Sequence, residues 1–352
     1  MMKAVWLGLT ALALTGGVGA QEPGLSLVQP PALDRSGDGT VWRYELLVRQ
    51  TLITLTGLVV SDGQGRVLAT LDKDQLVKAV TARADGTPVI YLDIPAGDTA
   101  NLRHEVRALG PDGKELRLAD GGVNLSKDQP IMIGPPLAGG PWVAIHSAEW
   151  PRGHRRVFYE EGGRQRIPGR FAIDFVKVGE DGAITRGDPD RPGDALGYGD
   201  DVLAVADARV VAMRDGMAEM ASIDANGKHS KADAAGNHVV LEIAPGRFAF
   251  YEHLKPGSVR VKVGDKVRRG QVIGQLGFTG DSTGPHLHFH IADAQTPLGG
   301  EGQPFTIDSF RLVGGYGDLS RLGKGRWADT PPVERNGERP GANSVLYFAV
   351  AP

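Results

Sequence analysis

Residues 279–291 read TGDSTGPHLHFHI and place His286, His288 and His290 at every second position. The chain has nine histidines in 352 residues, and three of them fall within this one short run. On an extended strand side chains alternate between faces, so these imidazoles share one face while Leu287, Phe289 and Ile291 share the other. Same-face neighbours stand roughly 7 Å apart at Cα. That spacing lets one imidazole ligate a metal while the next reaches a group bound to it. For an isolated His-x-His pair, a solvated strand face is the competing explanation.

Two further stretches bear on the choice. In RFAIDF, strict alternation puts Arg170, Ala172 and Asp174 on one face and Phe171, Ile173 and Phe175 on the other. A carboxylate among large apolar neighbours is costly unless it is paired or ligated. In FYEHL, Glu252 and His253 fall on opposite faces, so only one of them is expected to enter a shared groove. Cysteine is absent, so a metal site here must be built from His, Asp or Glu.

The elements that must position these residues read as strands throughout. Between residues 41 and 120, short β-type runs such as VWRYELLV, PVIYLDI and LRHEVRAL alternate with turn sequences such as SDGQGR and RADGTP. This punctuation predicts an Ig-like β-sandwich. His104 is expected to be a surface strand residue. Beyond the Pro/Gly-rich joint at residues 132–142, β character continues through RFAIDFVKV, NHVVLEIAPGRFAFYEHL and HLHFHIA. VGDKVRRGQVIG has the glycine placement of a tight hairpin leading into the histidine strand. The expected organisation is a signal peptide at 1–20, an irregular linker at 21–40, the sandwich at 41–130, a second antiparallel β domain at 141–298 and an extension at 299–352. Within that extension, FTIDSFRLVG and NSVLYFAV read as strands.

The first twenty residues, a short positive start followed by an apolar run ending in small residues, predict export across a membrane. No other run approaches the length of a membrane span. A formal net charge of −3 gives no reason to expect a nucleic-acid partner.

Together, GNHVVLEIAPGRFAFYEHL and VKVGDKVRRGQVIGQLGFTGDSTGPHLHFHI resemble the lysostaphin/LytM family of zinc endopeptidases. GYGDDVLAVADARVVAMRDG resembles the strand pair that precedes them in that family, so the likeness runs over about residues 169–291. The resemblance implies a LytM-like antiparallel β-sheet peptidase domain, one zinc ion and a peptidoglycan peptide as substrate. It further implies a periplasmic or extracellular location. It assigns Asp174 and His288 as zinc ligands, and His286 and His253 as the catalytic histidines. His290 has no family role and is expected to line the groove. Arg170, with Arg164 and Arg166, is expected to hold substrate carboxylates or to belong to a solvated loop.

One position departs from the family pattern. The first zinc ligand belongs four residues before Asp174, where this chain has Arg170. A guanidinium stays protonated and offers no lone pair. Two matched ligands remain where catalytic zinc takes three plus water. His154, in RGHRRVFYEEGG, is the preferred substitute, and His146 is the second candidate. The alternative is a metal-free site with Arg170 paired to Asp174. The function expected is zinc-dependent peptide hydrolysis in peptidoglycan. Its rival is a degenerate domain that binds or activates a separate cell-wall hydrolase. The sandwich would then contact an amidase or another envelope protein.

Overall fold

A computed structural model describes residues 24–146 and 153–350. The expected signal segment lies outside the described residues. Almost all regular structure is β, arranged as two five-stranded sheets followed by one of eleven strands, with two further two-stranded ribbons.

The small sheets form a sandwich. Strand Gly39–Val48 pairs antiparallel with Pro88–Pro95 in continuous register from Val41 opposite Pro95 to Leu47 opposite Val89. Strand Thr54–Asp62 pairs with Asn101–Leu109 in the facing sheet. Both are rich in β-branched and aromatic residues, which suit a pleated, half-buried surface. Tyr44, Leu46, Leu92 and Ile94 from one sheet meet Leu58, Val60, Leu102 and Val106 from the other in a shared core.

Two expectations change here. Residues 21–40, read as an irregular linker, contain strands Leu25–Leu27 and Ala32–Ser36, both paired to Gly39–Val48. The tight return from Ser36 is possible because Gly39 adopts φ 128°, a region closed to most side chains. His104, read as a surface residue, is buried. The alternation in NLRHEVRAL puts it on the inner face with Leu102 and Val106. The imidazole is tolerated there because both ring nitrogens have partners: the Tyr44 hydroxyl at 2.7 Å and the Asp120 carboxylate.

The large sheet has eleven strands. Strand Ile173–Lys177 lies inside it, antiparallel to Gly139–Ile145 on one side and to Leu287–Ala292 on the other. Leu287–Ala292 is flanked in turn by Arg247–Leu254. Leu287, Phe289 and Ile291 are fully buried in the main core with Phe171, Ile173 and Phe175. Burying a side chain of this size contributes roughly 1.5–3 kcal/mol. A slip of one residue would exchange these three for three histidines, so the core fixes the register that aligns the histidine face.

The segment after residue 299 is woven into this sheet. Phe305–Gly315 and Ser344–Phe348 pair with each other, and Ser344–Phe348 pairs with Gly139–Ile145. A third strand, Ala328–Glu338, pairs with Phe305–Gly315. The sequence did not suggest this strand, because it is mostly exposed and carries Pro331 and Pro332. Both features belong to a sheet edge.

Candidate functional site

The site is built on three adjacent strands. His288 is directly opposite Asp174 on one neighbour and Glu252 on the other. The Asp174 carboxylate accepts two hydrogen bonds of 2.8 Å, from His154 Nε2–H at Oδ2 and from His288 Nδ1–H at Oδ1. His286 Nε2 stands 3.4 Å from Oδ1. Burial works against the charge on Asp174, but His154 and His286 more than offset it and hold the carboxyl well below its ordinary value. Burial, reinforced by His154, pushes His288 down to about 4.

His154 arrives from outside the sheet. It opens a 3-10 turn, His154–Arg156, that packs on a second one, Pro168–Phe171. Gly169 permits the contact: a Cβ at that position would lie 2.7 Å from the His154 Cβ. The second turn also corrects the alternation read from RFAIDF. The strand begins at Ile173, so Arg170 is not on the Asp174 face. Its buried guanidinium pairs instead with Glu45 at 2.6 Å and Glu301 at 2.8 Å. The alternative Arg170–Asp174 pair is not formed; Asp174 contacts His154 instead. Arg170 is likewise turned away from the cleft, where a substrate carboxylate would need it. His146 lies elsewhere, 2.9 Å from the Pro340 carbonyl and 3.1 Å from Arg339.

The other two imidazoles are tethered in the same way. His253 Nδ1–H donates to the Thr279 carbonyl at 2.7 Å, and His286 Nδ1–H donates to the Gly284 carbonyl at 2.7 Å. A carbonyl can only accept, so each tether puts the proton on Nδ1; His253 Nε2 is left to the pocket, and His286 Nε2 faces the Asp174 carboxylate at 3.4 Å. The two rings are 4.9 Å apart. Burial, then His286 and His288, keeps His253 well below the ordinary histidine value. Burial also disfavours charge on His286, but Asp174 and the Gly284 carbonyl raise it above that value.

FYEHL departs from simple alternation. His253 has φ 62°, and the pairing of its strand with Asn237–Ala244 shifts register beside it. This left-handed residue swings back toward the face that Glu252 already occupies. Glu252 and His253 therefore both line one small pocket with His154, His288 and His290. Burial, then the charge of Asp174, pushes Glu252 up to about 8. The sequence showed Glu252 beside a catalytic candidate but gave no sign of the twist. His290 is enclosed, stacked on Phe250 with centroids 4.5 Å apart, and its Nδ1 is 3.1 Å from His288 Nε2. It backs His288 and is buried where it lines this pocket.

On the other side of Asp174 and His286 a cleft of about 420 Å³ opens. Its walls include Ile145, Val176, Ile184, Leu319 and Leu322, with Lys177 and Arg191 at polar positions. Leu319 and Leu322 come from the segment beyond residue 299, which thus forms one wall.

The donor set suits a transition metal. His154, Asp174 and His288 each bring a ligand atom within 4.8 Å of the others. Two imidazoles and a carboxylate form a three-ligand set of the kind that catalytic zinc uses. The same ring atoms that donate to Asp174 here would offer their lone pairs to a cation. His253, His286 and His288 form a second converging group, and Glu252, His288 and His290 a third.

Comparison with known proteins gives concordant results. Residues 195–299 match the model of peptidase family M23. Over 64 residues the chain is 47% identical to peptidoglycan DD-endopeptidase ShyA of Vibrio cholerae, covering 18% of this chain and 14% of that protein. With peptidoglycan DD-endopeptidase ShyC of the same organism it is 31% identical over 136 residues, covering 38% and 29% respectively. The catalytic domain of lysostaphin from Staphylococcus simulans aligns with 21% identity and a TM-score of 0.26, covering 47% of this chain and 88% of that domain. The chain thus spans less than a third of the length of the two endopeptidases. The family match includes His253, His286, His288 and His290 but begins after His154 and Asp174. Among the described residues, no helix is long and apolar enough to cross a membrane. The chain therefore carries a peptidase family M23 domain, with relatives of the lysostaphin and peptidoglycan-endopeptidase type.

Proposed function

We propose that the protein is an exported zinc endopeptidase that hydrolyses peptide bonds in peptidoglycan. The observation that carries this reading is the convergence of His154 Nε2 and His288 Nδ1 on the Asp174 carboxylate, beside two imidazoles tethered through Nδ1. His154, Asp174 and His288 would hold the zinc ion, with His154 taking the part that Arg170 cannot. Zinc in this position supplies Lewis-acid polarisation of the scissile carbonyl and a lowered pKa for water.

The chain's own groups do the rest. His286 Nε2 takes the proton of the attacking water as the new C–O bond forms. The nearby carboxylate stabilises the resulting imidazolium, and His286 returns the proton to the amine as the C–N bond breaks. His253, kept neutral by burial, accepts a hydrogen bond from the water at Nε2 and so orients it. With His288 Nδ1 committed to the metal, its proton would sit on Nε2, and His290 Nδ1 would accept it and hold that ring toward the ligand set. The apolar cleft beside His286, with Lys177 and Arg191, would receive the peptide.

The test is elemental analysis of protein purified with zinc, followed by peptidoglycan digestion by wild type and His288→Ala. About one zinc per chain and digestion by wild type alone are expected. Loss of several kcal/mol of electrophilic stabilisation corresponds to a fall on the order of 10³-fold. Absence of zinc, or equal digestion by the variant, would defeat the reading and leave a binding domain as the better account.

A further inference from the structure

Arg170, which stands where the first ligand was expected, and Arg155, which follows the substitute His154, are gripped by the same side chain. Glu45, fully buried on sandwich strand Gly39–Val48, contacts Arg155 Nε through Oε1 at 2.9 Å and Arg170 Nη2 through Oε2 at 2.6 Å. Arg155 directly follows His154. It also reaches Asp93 at 2.9 Å and donates to the Tyr44 and Leu92 carbonyls at 3.0 and 2.9 Å. Arg156, the next residue, donates to the Lys78 carbonyl at 2.7 Å and covers the Tyr91 ring at 4.7 Å. All of these anchors belong to the sandwich. The turn that presents His154 is thus docked on the N-terminal sheets through the two arginines that follow it.

The grip is part of one alternating chain of charges, all buried except Asp93. It runs Arg339, Asp34, Arg43, Asp93, Arg155, Glu45, Arg170, Glu301, with each neighbouring pair at 3.0 Å or less. The sandwich contributes three carboxylates and one guanidinium. The large sheet and its preceding turns contribute three guanidiniums and one carboxylate. Such a seam is geometrically demanding, because a displaced partner leaves a buried charge uncompensated. It therefore fixes where the sandwich sits and, through Arg155, where His154 sits.

We propose that the sandwich completes the metal centre: Glu45 and Asp93 hold Arg155, and Arg155 is a positioning residue that places His154 on Asp174. The proposal rests on the reading of His154 as a zinc ligand. Groups that orient a ligand without touching the metal typically change affinity 10–100-fold when altered. The sandwich would then act as a structural share of the site and not only as a docking module.

The experiment uses the full chain and two readouts besides activity: the zinc dissociation constant by competition with a chromogenic chelator, and the visible absorption of the cobalt(II)-loaded protein. Four variants are compared with wild type: His154→Ala, Arg155→Lys, Asp93→Asn and Leu58→Ala. Lysine keeps the charge but lacks the fork that spans Glu45 and Asp93. Arg155→Lys should weaken zinc 10–100-fold and alter the cobalt spectrum, and Asp93→Asn should move both in the same direction. Leu58→Ala, which loosens the sandwich core away from the seam, should change neither. If Arg155→Lys does not fold, Asp93→Asn decides, since Asp93 is partly exposed and asparagine keeps its shape. Unchanged affinity and spectrum in the seam variants, with His154→Ala strongly weakened, would overturn the inference and leave the ligand assignment standing. An equal shift in Leu58→Ala would also overturn it. Unchanged affinity in His154→Ala would remove the ligand assignment itself.

Discussion

The molecule contains two sets of buried histidines beside an aspartate, and they differ in one respect. In the sandwich, His104 has both ring nitrogens occupied, by Tyr44 and by Asp120. In the large sheet, His253 and His286 have Nδ1 tied to a carbonyl; Nε2 of His253 faces the small pocket, and Nε2 of His286 has only a long 3.4 Å contact with Asp174 Oδ1 beside the cleft. Burial is nearly the same in all three. Burial and proximity to a carboxylate therefore do not separate a structural histidine from one proposed to react here. The second nitrogen does: a satisfied imidazole holds the fold, and a half-satisfied one can exchange a proton.

This contrast can be broken at three points. Replacing either tethered imidazole, in His253→Gln or His286→Gln, should lower kcat by about 10²- to 10⁴-fold. Zinc content and melting temperature should stay near wild type; zinc loss in these variants would make the two residues ligands and erase the distinction. His104→Ala should do the opposite. It leaves the Tyr44 hydroxyl and the Asp120 carboxylate short of a partner and should cost about 1–3 kcal/mol in urea unfolding, with digestion of peptidoglycan retained. Loss of activity at full stability would place His104 in the function. The smallest effect concerns pH. Burial raises the Asp120 carboxyl, but hydrogen bonds and charge from His104 more than offset this and hold it below the ordinary value. A carboxyl lowered on folding adds stability above its unfolded pKa, near 3.8, and loses it as pH falls through the folded one. The advantage of wild type over Asp120→Asn should thus shrink on acidification below the ordinary carboxylate range. An advantage that grows there would reverse the assigned sign.

The sequence revealed the histidine strand because its two faces differ so sharply. Leu287, Phe289 and Ile291 demand a core, and register then follows for His286 and His288. Asp174 was legible for the same reason. His154 could be named only as a nearby histidine, since its arrival depends on two 3-10 turns meeting across Gly169. Arg170 misled because alternation was extended through a turn. Glu252 was set aside because nothing in FYEHL marks the left-handed twist at His253. His104 was misplaced because a polar letter in an alternating strand reads as outward. For three of these the missing information was a partner elsewhere in the chain: Asp174 for His154, Glu45 for Arg170, and Tyr44 for His104.

Strand Ser344–Phe348 zips onto Gly139–Ile145, which in turn pairs with the strand carrying Asp174. Ladder contacts between segments so distant in sequence close large loops, and such closures come late and slowly in folding. As the chain emerges from the ribosome, Asp174 is made long before the strand that flanks its own neighbour. The carboxylate that gathers the histidines gains its full framework only once residue 348 has joined the sheet. Fusions, truncations or proteolytic nicks near that distant strand therefore act on the histidine cluster, although none of them touches it.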